Sequence, residues 1–322
     1  MAHDTLVTLK SGLQIPEFGI GTSPFGGLFA SVSESAVQEV ISTSITLGLN
    51  YFDTAPHYGM GSAEERLGRN TEHRPRRSFI VSTKVGRLIV PSDKTDDPGW
   101  ENSTAEVERI FDFSAAGIER SLIESLKRLN MDSVEMVFIH DPDDAANQAI
   151  AEAYPVLERL RAEGIVKTIG VGITSNEIPT RFINETDIDV VLIALRYTLL
   201  DQSAAKELLP AAVKKGVSVI AGGVFNSGIL TDPKVGATFN YEVASPEVLA
   251  RAQNIEKFFT DRGVSLAQAA LQYPMRHPAI SAILVGCRNG DEVKKNVELY
   301  NKTISADIWN EFDNFLLELP PR

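Results

Sequence analysis

Eight short runs rich in β-branched and aromatic residues recur along the chain, and nearly all of them are continuously apolar. They are Phe18–Gly21, Asn50–Phe52, Phe79–Thr83, Val134–Ile139, Val166–Val171, Val190–Ile193, Val217–Ala221 and Ala282–Val285. Strands without polar alternation are buried on both faces, as parallel strands are when helices cover their sheet. The sequence therefore predicts a set of buried parallel strands.

The segments between these runs carry helical patterns, and several begin or end at a recognisable cap. Ser33–Leu47 starts with a serine cap, and Ser114–Leu129 has Leu122 and Leu126 at helical spacing. Three further helices are predicted to stop at a glycine, the residue that tolerates a left-handed cap. They are Ala149–Glu163, Ala204–Lys215 and Pro246–Arg262, which end at Gly164, Gly216 and Gly263.

Strand and helix alternate from end to end, without a linker or a shift in composition. This pattern and the length predict an α/β fold: a (β/α)8 TIM barrel that forms a single domain over residues 1–322. Alternation over Leu6–Leu9, a turn at Ser11 and Gly12, and apolar residues up to Ile15 add an N-terminal β-hairpin.

The competing fold is a doubly wound dinucleotide-binding sheet, whose fingerprint is G-x-G-x-x-G between the first strand and the first helix. Gly19, Gly21, Gly26 and Gly27 do not have that spacing, and the first helix begins only after Ser31. The barrel is therefore the favoured fold.

Two connections are too long to be simple links, namely Val85–Asp112 and Val224–Ser245. Both follow strands, so in a barrel both lie at the C-terminal rim, where active sites are assembled. Their buriable aromatic residues, Trp100 among them, are candidate walls for a substrate.

The balance of 31 basic against 43 acidic residues gives a net charge of −12. This argues against a nucleic-acid partner or an anionic membrane surface, since both would repel the chain.

The single cysteine, Cys287, excludes an internal disulfide and argues against a cysteine-based metal site. The first residues, MAHDTLVTLK, show no apolar signal region, and no run approaches a membrane span of about 20 apolar residues. We therefore expect a cytoplasmic protein.

Three consecutive predicted strands end in an ionisable residue: Asp53, Lys84 and His140. Tyr58 follows the first of them on a short loop. Each residue alone has an ordinary interpretation, as a turn or cap acid, a solvated lysine, a hydrogen-bonded histidine and an aromatic lid. Because the carboxyl ends of barrel strands converge on one mouth, the four together predict a shared titratable site.

Three stretches resemble the aldo-keto reductase family, in matching order and at matching separations. They are GLNYFDTAPHYGMGSAEERLG, FSAAGIERSLIESLKRLNMDSVEMVFIHDPDD and ILVGCRNGDEVKKNVEL. More narrowly, FSAAGIERSL, HDPDD, RYTLLDQ and GGVFNSGIL are similar to its NAD(P)-dependent aldose dehydrogenase branch, which includes L-fucose and pyridoxal dehydrogenases.

The resemblance implies an enzyme that binds NAD(P)H at the C-terminal rim, with Tyr58 as the proton-transfer residue. A lysine ammonium near a phenol lowers the phenol's pKa, and a carboxylate beside the lysine keeps the ammonium charged. These are the expected roles of Lys84 and Asp53, while His140 would orient the substrate oxygen or help to relay the proton. No metal is expected, because the sequence has no H-E-x-x-H motif or cysteine cluster.

The resemblance also assigns a nicotinamide carboxamide site to the exit of the fifth strand. The family's Ser-Asn pair corresponds to Ser175 and Asn176, which lie a few positions late, or else Thr174 takes the contact. Ala194 stands where the family has a glutamine on the sixth strand, and Arg196 is the nearby candidate.

Gly222 or Gly223 replaces the tyrosine that many members stack under the nicotinamide, so Phe225 is the candidate stacking residue. It has an equal interpretation as an aromatic of the loop core. The remaining rim residues that the resemblance assigns to the cofactor are Thr22, Asp53, Val224, Asn226 and Ser227.

The C-terminal segment bears on the choice between NAD and NADP. Gly286 and Glu292 stand where NADP-preferring members place a lysine and an arginine around the 2′-phosphate, and Asn296 matches an asparagine assigned to the adenine. An acid accepts hydrogen bonds from ribose hydroxyls but repels a phosphate. We therefore expect NAD to be preferred, with two alternatives: Glu292 serves only as a helix N-terminal acid, or Arg288 restores a phosphate contact and NADP binds.

Together these observations predict oxidation of the hemiacetal carbon of an aldose to a lactone, with Tyr58, His140 and Trp100 contacting the sugar. The same chemistry would oxidise pyridoxal, which also closes to a hemiacetal. The alternatives are an NADPH-dependent aldehyde or ketone reductase and, outside enzymes, a cofactor-sensing regulatory subunit.

Overall fold

The computed structural model describes residues 2–93, 99–102 and 106–319. Its strands are β1 (Leu6–Thr8), β2 (Gln14–Pro16), β3 (Phe18–Gly21), β4 (Tyr51–Asp53), β5 (Ile80–Val85), β6 (Arg87–Pro91), β7 (Val107–Phe111), β8 (Met136–His140), β9 (Thr168–Ile173), β10 (Val190–Ala194), β11 (Ser218–Gly222), β12 (Thr238–Phe239), β13 (Glu242–Val243) and β14 (Ile280–Gly286). Its helices are α1 (Glu34–Thr46), α2 (Ser62–Thr71), α3 (Ala115–Leu129), α4 (Ala146–Gln148), α5 (Tyr154–Ala162), α6 (Glu177–Glu185), α7 (Leu208–Lys215), α8 (Pro246–Thr260), α9 (Leu266–Gln272), α10 (Gly290–Asn301) and α11 (Ala306–Glu318).

The parallel strands close into a barrel in the order β3, β4, β5, β8, β9, β10, β11 and β14. The seam is the pairing of β14 with β3, where Ile283 lies opposite Phe18. These strands coincide with the eight apolar runs of the sequence to within a few residues, and helices cover them outside. The predicted (β/α)8 barrel is therefore confirmed.

The N-terminal hairpin closes the amino-terminal end of this barrel. Strands β1 and β2 pair antiparallel, with Val7 opposite Ile15. Leu9 and Ile15 are buried and belong to the same apolar cluster as the inward-facing Met136 and Ile220 of the barrel wall. With that end filled, the carboxyl ends of the strands form the open mouth.

Most helix ends follow the predicted caps. The side chains of Ser33 and Ser114 accept hydrogen bonds from the backbone at the starts of α1 and α3. Gly164, Gly216 and Gly263 all adopt positive φ angles, between 64° and 74°. The left-handed caps predicted for these glycines are therefore present.

Two helices are shorter than predicted. The segment Ala149–Glu163 begins with a π-helical turn over Ala149–Ala153 before α5 starts. The segment Ala204–Lys215 contains a 3-10 turn and then α7, which starts at Leu208. Pro210 explains the second difference, because proline has no N–H to bond one turn back and is tolerated only in the first turn.

Both long rim connections contain strands of their own. In the first, β6 and β7 form an antiparallel ladder, and Trp100 makes an isolated bridge to Leu28. Residues 94–98 and 103–105 of this connection lie outside the described residues. In the second, β12 pairs with β13. The described ranges contain no helix long and apolar enough to cross a membrane.

Candidate active site

A cavity of about 770 Å³ opens at the C-terminal mouth of the barrel. It is lined by the ends of barrel strands, by the two rim connections and by the start of α10. Phe29 and Tyr241 stack across its rim with ring centroids 6.3 Å apart. The cavity thus extends from the barrel axis towards the C-terminal segment.

Strand alternation places three ionisable residues inside the mouth. Successive side chains of a strand point to opposite faces. In β8, Met136 and Phe138 belong to the cluster that fills the barrel interior, whereas Val137 and Ile139 pack outside against helices. His140 therefore continues the inward row. The same parity brings Asp53 inward, two residues after the interior Tyr51, and Lys84 inward on the next strand.

The centre of the site is the ammonium of Lys84, whose side chain is almost completely buried. Its Nζ donates to Asp53 Oδ2 at 2.7 Å, to Tyr58 Oη at 3.0 Å and to the carbonyl oxygen of Thr54 at 2.9 Å. An ammonium has three donors, so these contacts use all of them. The other oxygen of Asp53 accepts from Ser82 Oγ at 2.6 Å. The position of the phenol is therefore fixed relative to two neighbouring strands.

These contacts set the charges in the site. Burial alone would lower the pKa of Lys84, but the negative charge of Asp53 and the phenol of Tyr58 raise it by more. The net pKa of Lys84 therefore lies above its usual value. Burial raises the pKa of Tyr58, and the nearby Lys84 offsets only part of that rise. The expected lowering by the lysine is present, and the net shift of the pKa is upward because burial outweighs it. At neutral pH the phenol is a proton donor.

His140 is a neutral imidazole next to the phenol. Its ring lies edge-on to that of Tyr58, with centroids 6.2 Å apart. Burial, and then the positive charges of Arg87 and Lys84, place the pKa of His140 well below its usual value. Its Nδ1 is buried and has no hydrogen-bond partner among the described residues. A neutral imidazole here can orient the reacting oxygen but is not an acid at physiological pH.

Trp100 forms the wall beside the phenol. Its ring stacks on Tyr58 with centroids 5.7 Å apart and an interplanar angle of 28°. It also lies edge-on to His57 at 5.1 Å. The first long rim connection therefore supplies an aromatic surface next to the phenol of Tyr58, and the predicted role of Trp100 as a substrate wall stays a prediction.

Close contact between two glycines holds the Tyr58 loop in place. A Cβ added to Gly26 would lie 2.5 Å from the backbone nitrogen of Gly59 and 2.6 Å from the carbonyl carbon of Tyr58. Gly59 itself has a φ angle of 60°, in the left-handed region that favours glycine. The loop after β3 thus packs directly on the loop that carries the phenol, and only glycine fits at the contact.

Most residues assigned to a nucleotide by resemblance line the same cavity. They are Asp53, Thr174, Gly222, Val224, Phe225, Ser227, Gly286, Arg288, Glu292 and Asn296. Glu292 Oε2 also accepts from the backbone N–H of Arg288 at 2.9 Å, as a helix-capping acid does. The two interpretations of Glu292 are therefore compatible, because one carboxylate faces the cavity and caps α10.

The cavity lining does not include five of the assigned residues. Thr22 is completely buried. Asn176 Nδ2 donates to Ser203 Oγ at 2.9 Å, and the adjacent Ser175 has a buried hydroxyl. Arg196 donates to Asn240 Oδ1 at 3.0 Å. Asn226 is completely buried, accepts from Thr198 and donates to the carbonyl oxygen of Leu195. Of the three carboxamide candidates that follow β9, only Thr174 lines the cavity.

Several residues of the cavity were not predicted. Lys295 lies three positions after Glu292 in α10, a spacing that puts both on one helix face and was readable from the sequence. His57, which directly precedes Tyr58, and Asp141, which directly follows His140, also line the cavity. Arg109 had no comparable signal, because it reaches the cavity only through the pairing of β7 with β6.

The residues present fit a nicotinamide dinucleotide. Gly172, beside Lys84, and Gly222 both line the cavity, and a Cβ added to either would meet neighbouring atoms only at 3.5 Å or more, so their missing side chains leave room for a flat ring. At the other end, Arg288 and Lys295 supply cations beside the N-terminus of α10. The donor set thus matches a planar group at one end and phosphates at the other.

The model of the Aldo/keto reductase family matches residues 17–316, and the chain belongs to this family. Members of the family use NAD(P)H and act on small aldehydes or sugars. The chain, with this site at the carboxyl mouth of its (β/α)8 barrel, is therefore an NAD(P)-dependent oxidoreductase.

Two named relatives match almost the whole chain. A D-threo-aldose 1-dehydrogenase of a Pseudomonas species is 36% identical over 309 residues, covering 94% of both proteins. A pyridoxal 4-dehydrogenase of Microbacterium luteolum is 35% identical over 322 residues, covering 93% of this chain and 94% of the relative. Among solved structures, the holo form of an aldo-keto reductase from Bacillus halodurans superposes with a TM-score of 0.77 at 25% identity, covering 96% of this chain and 95% of that one.

Proposed function

We propose that the protein oxidises the hemiacetal carbon of a cyclic aldose to a lactone, with NAD as the hydride acceptor and Tyr58 as the proton acceptor. The observation that carries this proposal is the 3.0 Å hydrogen bond from Lys84 to Tyr58 at the floor of the cavity. The similarity to an aldose dehydrogenase supports the choice of substrate class.

The bound dinucleotide supplies the acceptor for the hydride that leaves the hemiacetal carbon. As the carbon–oxygen bond becomes a carbonyl, the proton of the anomeric hydroxyl passes to the phenolate oxygen of Tyr58. Lys84 stabilises that phenolate through its hydrogen bond, and Asp53 keeps the ammonium charged. In the reverse direction the same phenol returns the proton to the oxygen.

His140 completes the oxygen-binding position. Its neutral ring stands perpendicular to the phenol, so both side chains can contact one oxygen atom. Because burial and nearby cations keep its pKa far below neutrality, its contribution is orientation rather than proton transfer.

The substrate would lie between the stacked pair of Trp100 and Tyr58 and the polar residues opposite. Aromatic faces pack against the C–H surface of sugar rings, and polar groups recognise their hydroxyls. Pyridoxal is the second candidate, supported by the pyridoxal dehydrogenase among the relatives, because its hemiacetal form presents the same reacting group.

For the cofactor, NAD is proposed over NADP. Glu292 lines the far end of the cavity and would accept hydrogen bonds from ribose hydroxyls while repelling a 2′-phosphate. Arg288 and Lys295 line the same end and would favour the phosphate, so the preference depends on which charge lies closest to the ribose. Measuring the relative affinities of NADH and NADPH decides whether NAD or NADP is the preferred cofactor.

The test is a spectrophotometric assay of the purified protein. With L-fucose or D-arabinose as substrate, we expect NAD to be reduced to NADH, which the absorbance of the reduced nicotinamide follows. Pyridoxal and simple aldehydes are compared in parallel. Failure to oxidise any hemiacetal would overturn the proposal. Reduction of aldehydes with NADPH alone would favour a reductase, and cofactor binding without turnover of any substrate would favour a regulatory subunit.

A further inference from the structure

A histidine and an arginine that the proton-transfer chemistry does not use meet at the substrate end of the cavity. His57 directly precedes Tyr58, and its ring lies 5.9 Å from that of His140. Arg109 reaches it from the hairpin of β6 and β7 and donates from Nη1 to His57 Nδ1 at 3.1 Å. Both residues line the cavity.

This hydrogen bond determines the tautomer of His57. An arginine guanidinium has donors and no acceptor, so Nδ1 of the imidazole must accept and the ring proton must sit on Nε2. Burial, and then the charges of Arg87, Arg109 and Lys84, lower the pKa of His57 to about 2. The ring is therefore neutral throughout the pH range of enzyme assays.

Among the described residues, the fixed donor of His57 has no hydrogen-bond partner. No residue in the described ranges accepts from its Nε2, although the ring is held on its other side by Arg109. A complementary acceptor lies nearby: Asp141 follows His140, pairs with Arg87 through Oδ2 and lines the same cavity. A donor and a carboxylate thus stand beside the position where Tyr58 and His140 would hold the reacting oxygen.

We propose that His57, positioned by Arg109, recognises the hydroxyl on the carbon next to the reacting carbon and thereby selects 2-hydroxylated substrates. A hydroxyl both accepts and donates, so it can accept from His57 Nε2 and donate to Asp141. A substrate without this hydroxyl would leave the donor of His57 unpaired in a largely buried site, which is unfavourable. The inference rests on the proposed function, since it concerns selectivity within that reaction.

The test compares D-arabinose with 2-deoxy-D-ribose, which differ only in the hydroxyl at C2, using the full-length enzyme with NAD. We expect kcat/KM to favour D-arabinose about tenfold or more. His57→Leu, which removes the donor, should lower kcat/KM for D-arabinose at least about tenfold more than for the deoxy sugar. His57→Gln, whose amide can donate from nearly the same place, should keep most of the selectivity.

Arg109→Met tests the positioning role. Nitrogen-15 NMR of histidine-labelled holoenzyme should show the His57 proton on Nε2 alone between pH 5.5 and 9, because Arg109 donates to Nδ1. In Arg109→Met we expect a mixture of tautomers and a partial loss of selectivity, mainly through KM. A proton on Nδ1 in the unmodified enzyme would overturn the assignment.

Reduction of aldehydes with NADH separates failure of this inference from failure of the proposed function. Lactaldehyde and propanal differ in the same 2-hydroxyl, so the His57 variants can be ranked with them even when no sugar is oxidised. Equal losses of kcat/KM for both members of a pair in His57→Leu would show a structural role and contradict the inference. NADH binding to each variant, followed by fluorescence, confirms that the cofactor site is intact.

Discussion

The ammonium of Lys84 lies 3.0 Å from the hydroxyl of Tyr58, although Lys84 belongs to β5 and Tyr58 to the loop after β4, 26 residues away in sequence. Its remaining donors are held by Asp53 and by a backbone carbonyl. The phenol is thus tied to a buried ion pair that cannot move without breaking other hydrogen bonds. Tuning of the proton donor and stability of the barrel mouth therefore depend on the same contacts.

Replacing Lys84 by methionine should impair both activity and stability. Loss of the ammonium removes the group that stabilises the phenolate, so we expect kcat to fall by about 10²–10⁴-fold. It also leaves Asp53 charged and unpaired in a buried position, which costs about 3–5 kcal/mol. Steady-state kinetics and urea unfolding measure the two effects.

The double variant Asp53→Asn with Lys84→Met is the control for this prediction. It removes both charges, so most of the lost stability should return while activity stays low. If the double variant is as unstable as Lys84→Met alone, an unpaired Asp53 charge is not the cause of the destabilisation.

Oxidation should accelerate with rising pH. Burial holds the pKa of Tyr58 above its usual value, so the phenolate needed to accept a proton is a small fraction at neutrality and increases as pH rises towards that pKa. We expect kcat/KM for aldose oxidation to rise by about tenfold per pH unit between pH 7 and 9. His140, whose pKa lies well below the usual value, should add no inflection near pH 6.5. A bell-shaped profile centred near that pH would contradict both assignments.

The inward positions of Asp53, Lys84 and His140 were predictable, because each ends an apolar strand and strand alternation fixes the direction of its side chain. Tyr58 was predictable from its loop and from the family resemblance. The sign of its pKa shift was not, because the desolvation of the phenol depends on Trp100 and other rim residues that pack over it.

Glu292→Gln should shift cofactor choice towards NADP. Without the carboxylate charge, the charged side chains that line the α10 end of the cavity, among the described residues, are Arg288 and Lys295. Both attract a phosphate. We expect the ratio of NADPH to NADH affinity to increase about tenfold, measured by fluorescence titration. Lys295→Gln should move the ratio in the opposite direction. An unchanged ratio in both variants would show that this end of the cavity does not contact the ribose.

Gly26→Ala should reduce turnover by displacing the Tyr58 loop. The added Cβ would overlap backbone atoms of Gly59 and Tyr58, so the phenol must shift, and a displacement of about 1 Å can cost roughly 100-fold in rate. Gly68→Ala is a matched control. Its Cβ would come within 2.4 Å of the carbonyl oxygen of Leu129 between α2 and α3, away from the cavity. We expect similar losses of thermal stability but a much larger loss of kcat for Gly26→Ala.

The nucleotide-binding residues were harder to predict than the proton-transfer residues. Thr174 and Asn176 stand two positions apart at the exit of β9, yet only Thr174 lines the cavity, because Asn176 turns outward to bond Ser203. Arg109 was missed because a strand pairing inside a rim connection, rather than a motif, brings it to His57. Such placements depend on loop geometry, which periodicity does not encode.

The most direct test of the account is the turnover of Tyr58→Phe together with its affinity for NADH. The substitution removes one oxygen atom and leaves the ring that stacks on Trp100. We expect aldose oxidation to fall by about 10³-fold or more while the dissociation constant for NADH changes by less than about threefold. Oxidation that persists near the unmodified rate, with normal cofactor binding, would contradict the assignment of Tyr58 as the proton-transfer residue.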